Sequence, residues 1–257
     1  MGRPDWTDMG GVQEEFLTTH WSLIEDLQEG QGRDRETALV GLLLDRYWKP
    51  VYCYLRRKGY DNEQAKDLTQ GFFHEVVLNR HLVERADPSK GRFRTFLLHA
   101  LNQYLIDEQR KEAGQKRIPR SKLIPLDIAD PSAVLEGVCE LGAEQSFDYA
   151  WKAQLLERVV AEVRDRYVQR GMETHWCVFR DRVLEPVLED REAPSLKEVC
   201  QSYGIDSEAT ASGMLKTVKR LFRSVLTEHV RQTVVSGDVV EEELQEIFPF
   251  LEKKRPE

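Results

Sequence analysis

The chain has 257 residues, of which 40% are hydrophobic and 32% are charged. This composition is too apolar for a disordered chain, and no apolar run reaches the roughly 18 residues that predict a transmembrane helix. The four cysteines are widely spaced, which argues against a zinc site of paired cysteines and against a disulfide scaffold. We therefore expect a cytoplasmic protein of one or two domains with reduced thiols and no membrane partner.

Charge is distributed unevenly along the chain. The net charge is −8, yet residues 81–122 carry ten basic and five acidic side chains, and residues 214–231 carry five basic side chains and one acidic. The rest of the chain is therefore strongly acidic. Two basic segments in an acidic protein predict local contacts with phosphates rather than general binding of polyanions.

Helical periodicity dominates, and no convincing strand pattern is present. Four helices are expected in the first half of the chain, at 16–27, 37–59, 61–80 and 92–113. Pro50 predicts a kink or a helix junction, and Asp61 with Gln64 three residues later predicts a capping box. The fourth helix is apolar around most of its circumference and is expected to be enclosed by the others in an N-terminal domain, 14–113.

A linker rich in proline and glycine is expected at 114–145, followed by a second helical domain at 146–235 and an acidic tail at 236–257. The predicted fold class is thus all-α, with two helical domains. Within the second domain, Ser195 begins a capping box, Gly204 ends that short helix, and Ser207 caps a longer helix. The sequence of the tail predicts an acidic amphipathic helix.

The segment 195–223 has the pattern of a helix-turn-helix. Its second helix has polar residues near its start and basic residues further on, as base edges and phosphates require. A helical hairpin with a solvated basic face is the structural alternative.

Basic and aromatic residues alternate at the start of the fourth helix, in the sequence Lys90-Gly91-Arg92-Phe93-Arg94-Thr95-Phe96. This combination suits melted DNA, because arginine and lysine follow the backbone while an aromatic ring replaces lost base stacking. Phe93 is expected to be a core residue, whereas for Phe96 the core and stacking roles stay open. No catalytic constellation, metal-ligand spacing or phosphate-binding glycine loop is present, so we expect a non-enzyme without metal or cofactor.

In this order, three segments resemble the sigma factors of bacterial RNA polymerase, of the extracytoplasmic-function class. Asp67-Leu68-Thr69-Gln70 with Phe72-Phe73 resembles that family's polymerase-binding helix. The segment 91–110 resembles its −10 melting helix, and 195–223 its −35 helix-turn-helix. The segments 18–22 and 46–50 are similar to a divergent subgroup common in planctomycete-like bacteria.

The resemblance implies that core RNA polymerase and promoter DNA are the partners. The implied contacts with the −10 region are Arg92, Arg94, Phe96, Asn102, Asp107, Arg110 and Lys111. The implied contacts with the −35 region are Thr210, Lys216, Lys219, Arg220 and Arg223. The implied contacts with polymerase are Asp67, Gln70 and Phe73.

Control of such a factor is open on the sequence alone. Gln64 and Lys66 stand where the family's polymerase-binding helix is usually acidic, which suggests that phosphorylation of Thr69 supplies the missing charge. A Ser/Thr kinase and an inhibitor protein are therefore further candidate partners, and the acidic tail is a candidate partner-binding or self-masking helix. The alternative functions are a free-standing helix-turn-helix regulator with a sensing or dimerisation domain, and a structural helical adaptor.

Overall fold

The computed structural model describes residues 33–79, 82, 92–113, 141–189, 191–231 and 237–252. Within these ranges all regular structure is helical, which confirms the all-α prediction. The helix predicted at 16–27, Cys139 and most of the predicted linker lie outside them. None of the helices in these ranges has both the length and the apolar character needed to cross a bilayer.

The first three helices follow the predicted order. Helix α1 spans Arg33–Arg57, α2 spans Asn62–Phe72 and continues as a π-helical segment over Phe73–Asn79, and α3 spans Phe93–Ala113. Of the two alternatives predicted at Pro50, the helix junction is wrong, since α1 runs through this proline without a break, and the kink stays a prediction. The predicted capping box at Asp61 is confirmed, because its Oδ1 accepts from the Gln64 amide at 2.8 Å.

The second half of the chain begins with the long helix α4, Ala143–Gln169. Helix α5, Glu173–Phe179, continues through a π-helical segment, Arg180–Leu184, into the short helix α6, Glu185–Leu188. Two further helices, α7 at Leu196–Tyr203 and α8 at Glu208–Arg231, form a hairpin. Helix α9, Gly237–Glu252, is the acidic helix expected in the tail.

Helix α1 packs lengthwise on α4, and this contact joins the two halves of the chain. Buried side chains form one continuous core that runs from α1, α2 and α3 through α4 to α8 and α9. Polar contacts accompany it, because Gln154 Nε2 donates to the Asp45 carbonyl at 2.5 Å and Lys49 pairs with Glu157 at 3.3 Å. The two helical regions predicted from the sequence are thus in direct contact, and their boundaries as separate domains stay a prediction.

Gly71 of α2 leaves room for the hydroxyl group of Tyr104, which lies on α3. A Cβ atom at this position would lie 2.3 Å from Tyr104 Oη, and the Tyr104 ring is itself buried against Phe72 at a centroid distance of 5.8 Å. Helix propensity alone would favour alanine by up to about 1 kcal/mol. Overpacking costs about 1–3 kcal/mol, so we expect Gly71→Ala to lower the free energy of unfolding, as measured by urea denaturation.

A suitable control is Gly213→Ala, because a Cβ atom there meets nothing within 4 Å. The free energy of unfolding of this variant should rise through the higher helix propensity of alanine, because no steric clash opposes it. Equal or greater stability of Gly71→Ala relative to Gly213→Ala would contradict the close contact between Gly71 and the Tyr104 hydroxyl.

Candidate nucleic-acid interface

The predicted helix-turn-helix is formed by α7, a tight turn and α8. Ser195 caps α7, since its amide donates to Glu198 Oε2 at 2.7 Å while the Glu198 amide donates to Ser195 Oγ at 3.2 Å. Gly204 ends the helix with φ 63° and ψ 38°, a left-handed conformation that glycine adopts without steric cost. The Thr210 amide then donates to Ser207 Oγ at 3.1 Å, so both predicted caps of this motif are confirmed.

A hydrogen-bonded cluster fixes this hairpin to the preceding helices. The Tyr203 hydroxyl donates to Asp181, and Arg180 Nη2 donates to the Tyr203 hydroxyl at 3.2 Å. Burial and the hydrogen bond to Asp181 raise the pKa of Tyr203 to about 12. Phe179 adds a ring contact with Phe222 at 5.8 Å. The end of α5 and the π-helical segment Arg180–Leu184 therefore hold the helix-turn-helix in place, a role that the sequence did not indicate.

Helix α8 exposes a row of basic side chains, which we call the α8 stripe: Lys216, Lys219, Arg220 and Arg223. Their spacing of three and four residues places them on one helical face. Ala211, Val218, Phe222 and Val225 are buried on another face. Thr210 is exposed in the first turn, where its hydroxyl lies 2.9 Å from Ser207 Oγ. All five residues implied for the −35 region are thus at the surface.

Arg92 and Arg94, implied for the −10 region, lie instead under acidic side chains of α9. Arg92 Nε lies 2.7 Å from Glu243 Oε1, and its Nη2 lies 2.9 Å from Glu246 Oε1. Arg94 donates to Glu243 through Nη1 and to Glu246 through Nη2, the latter at 3.2 Å. Only 9% of the Arg94 side chain is exposed. In this conformation neither guanidinium is available to a phosphate.

Helix α4 completes the surroundings of Arg94 with residues that the sequence analysis did not single out. The guanidinium carbon lies 4.4 Å from the centre of the Trp151 ring, a cation–π geometry, and Nε lies 3.3 Å from Asp148. Lys152 pairs with Asp148 at 2.7 Å and with Glu246 at 4.0 Å. Burial raises the pKa of Glu246, but the hydrogen bond from Arg92 and the charges of Arg92, Arg94 and Lys152 outweigh it and lower the net value.

The other residues implied for the −10 region lie further along α3. Phe96 is half-buried, with its ring 6.1 Å from that of Phe93, which is a core residue as predicted. Asn102 Oδ1 accepts from the Tyr54 hydroxyl at 2.5 Å. Lys111 donates to Glu108 at 2.7 Å and to Glu75 at 2.9 Å.

Burial opposes protonation of Lys111, but these two carboxylates outweigh it, so its pKa is raised. Asp107 is half-buried, and Arg110 is exposed on the last turns of α3. The residues implied for the −10 region are therefore not equally accessible, and Arg110 is the most open of the basic ones.

The surface implied for polymerase binding is smaller than the sequence suggested. Asp67 and Gln70 are half-buried on one face of α2. Phe73 is fully buried, with its ring edge-on to Phe72 at 5.4 Å, because the π-helical segment that it begins packs against α1. A direct contact between Phe73 and a partner is therefore incompatible with this conformation.

Thr69 is fully buried, and its hydroxyl donates to the Ala65 carbonyl at 2.7 Å. It follows Ala65 by one turn and precedes Phe72 by three residues, so it lies on the buried face of α2. A kinase has no access to this hydroxyl while the helix is folded. The phosphorylation hypothesis is therefore corrected, since it treated Thr69 as a surface residue.

The described ranges also contain side chains of the types that bind metal ions, and free thiols. Among their histidine, cysteine, aspartate and glutamate side chains, no group of three is arranged to hold a metal ion. Cys53, Cys177 and Cys200 are free thiols, and burial raises the pKa of Cys53 to about 12, which suits a packing role.

Comparisons with known proteins yield no relative, because no family model, no curated protein and no solved structure matches the chain.

Proposed function

We propose that the chain is a sigma factor of the extracytoplasmic-function class, which directs bacterial RNA polymerase to promoters. The observation that carries the proposal is the α8 stripe, a row of exposed basic side chains on the second helix of a capped helix-turn-helix. The resemblance of the three ordered segments in the sequence supports the same assignment. The chain would have no catalytic residues and would use the active site of polymerase.

The helix-turn-helix would read duplex DNA at the −35 element. An α-helix fits the major groove of B-DNA, and the first turns of a recognition helix normally contact base edges. Thr210 lies in the first turn of α8, and the stripe follows it with four cations for phosphates. This arrangement would place polar groups at bases and charge at the backbone, as sequence-specific binding requires.

The start of α3 would act on the −10 element. Arg92 and Arg94 would hold the phosphates of separated strands, and the half-buried ring of Phe96 would offer a stacking surface. Stacking contributes about 1–3 kcal/mol per base, which is comparable to the cost of extruding one base. The chain carries a net charge of −8, so we expect polymerase to supply most of the attraction for DNA.

Transcription with purified components tests this proposal. The full chain is added to core RNA polymerase on a library of genomic fragments, and new transcript start sites are mapped. We expect new starts that share one upstream and one downstream sequence element, and none without the chain. Absence of new starts would contradict the proposal.

The same experiment separates the alternatives. A free-standing helix-turn-helix regulator would bind duplex fragments tightly without polymerase, with a steep dependence on salt. A structural adaptor would neither bind DNA nor alter the start sites.

A further inference from the structure

The acidic helix α9 covers the basic start of α3. Three glutamates on α9 reach Arg92, namely Glu242 at 3.8 Å, Glu243 at 2.7 Å and Glu246 at 2.9 Å. Two of the three also contact Arg94. A row of carboxylates on two adjacent guanidinium groups presents the same charge and acceptor atoms as a phosphodiester backbone.

Glu243 shows that this contact is specific. Val240, Leu244 and Ile247 form the buried face of α9, and Glu243 lies among them with 0% exposure. A carboxylate on the apolar face of a helix is costly unless it has a charged partner there. Arg92 and Arg94 supply that partner, so the sequence of α9 matches this particular surface and not merely an apolar one.

Apolar packing holds the helix in register. Val240, Leu244 and Ile247 belong to the continuous core, and α9 packs on α8, the helix that carries the basic stripe. The acids are therefore presented to Arg92 and Arg94 from a fixed position. The effective concentration of α9 at the start of α3 is high, because both helices belong to one chain.

We propose that α9 is a built-in competitor of nucleic acid. It occupies Arg92 and Arg94 and so keeps the basic start of α3, which is implied for the −10 region, closed in the free chain. This inference rests on the proposed function for the role of these two arginines. A guanidinium that is paired with a buried carboxylate does not bind a phosphate, so docking of α9 and binding of melted DNA exclude each other. Apparent affinity for single-stranded DNA then falls in proportion to the fraction of chains in which α9 is undocked.

The test compares two double variants of the full chain that have equal net charge. Glu243→Gln with Glu246→Gln removes the acids that contact both arginines and keeps side-chain volume. Glu241→Gln with Glu144→Gln is the matched control, since Glu241 is exposed on α9 and Glu144 is exposed on α4. The single variant Glu246→Gln accompanies them, because Glu246 is 43% exposed and its replacement does not threaten folding.

Two measurements are made on each variant. Hydrogen exchange of the amides in 240–247 reports undocking of α9, and fluorescence anisotropy reports affinity for a labelled single-stranded DNA of about 20 nucleotides and mixed sequence. For the first double variant we expect faster exchange and about tenfold tighter binding, which corresponds to a tenfold larger undocked fraction. The single variant should shift in the same direction by less, and the control should match the unmodified chain.

Three results would overturn the inference. Unchanged exchange and affinity would mean that the acids do not hold α9. Faster exchange without a gain in affinity would mean that the covered surface does not bind nucleic acid. An equal gain in the control would mean that net charge alone is responsible. Failure of the proposed function would give another result. DNA binding of the first double variant would rise as expected, yet neither this variant nor the unmodified chain would direct core polymerase to new start sites.

Discussion

Replacing Arg94 with alanine is expected to lower the free energy of unfolding by about 2–3 kcal/mol, even without DNA. The reason is Glu243, which has 0% exposure and would lose one of its two guanidinium partners. Removing one member of a buried ion pair normally costs about 3–5 kcal/mol, and the remaining partner, Arg92, reduces this cost. Trp151 would also lose the cation that lies 4.4 Å from its ring centre.

Urea denaturation of the full chain measures this loss, and Arg110→Ala is the control. Arg110 lies on the same helix but is exposed, so its replacement should change stability by no more than about 0.5 kcal/mol. Equal stability of the two variants would mean that Arg94 is not tied to α9 in solution. Both arginines are implied in DNA contacts, but only Arg94 is buried. A difference in stability between the two variants therefore reports the structural role of Arg94 and not its implied role in DNA binding.

Local signals predicted the helix-turn-helix well. The capping box at Ser195 and the helix end at Gly204 are each encoded within a few residues, and the structure has both. The same holds for the capping box at Asp61 on α2. Val218, Phe222 and Val225 recur at helical spacing in the sequence, and all three are buried on α8. Such features depend on neighbouring residues alone, so one sequence suffices to recognise them.

Burial of individual side chains on α2 was predicted less well. Thr69 and Phe73 were assigned to partners, although both are fully buried in the structure. For Thr69 the signal was present, since the residue continues the row that begins at Ala65. For Phe73 a signal was present too, since this apolar residue follows Thr69 by four positions and therefore lies on the same helix face. Its assignment to polymerase came from the resemblance and not from this spacing.

The contact between α9 and α3 was beyond local prediction. Arg94 and Glu243 are separated by 149 positions in the sequence, and no pattern in either helix predicts that the two helices contact each other. One trace was available in retrospect: Glu243 interrupts the apolar row of Val240, Leu244 and Ile247, and a buried acid requires a basic partner. The sequence contains many bases, so only the folded chain identifies which of them meets it.

The two basic surfaces therefore differ in availability. The α8 stripe is exposed, whereas Arg92 and Arg94 are covered. Binding of duplex through α8 does not by itself require α9 to move, whereas binding of separated strands through α3 does. Under the proposed function, the upstream element would be accessible to α8 while α9 is docked, and polymerase or DNA would have to displace α9 before separated strands are held.

The largest effect on function is expected from reversing charge on the α8 stripe. Lys216→Glu with Lys219→Glu removes two cations that are both exposed on one face of the helix. Hydrogen bonds to charged groups are worth about 1.5–3 kcal/mol each, so loss of two corresponds to at least about a hundredfold weaker binding of duplex promoter DNA. The slope of log affinity against log salt should also become shallower by about two.

The matched control is Lys58→Glu with Arg164→Glu, which has the same change in net charge at two exposed positions, one just after α1 and one on α4. Gel-shift titration of holoenzyme on a promoter from the start-site library, at several salt concentrations, measures both quantities. If general charge repulsion were responsible, the control would weaken binding as much as the stripe variant. If the stripe makes the contacts, only its own reversal weakens upstream binding by this amount. The affinity of the chain for polymerase would stay unchanged, because the proposed polymerase contacts Asp67 and Gln70 lie on α2.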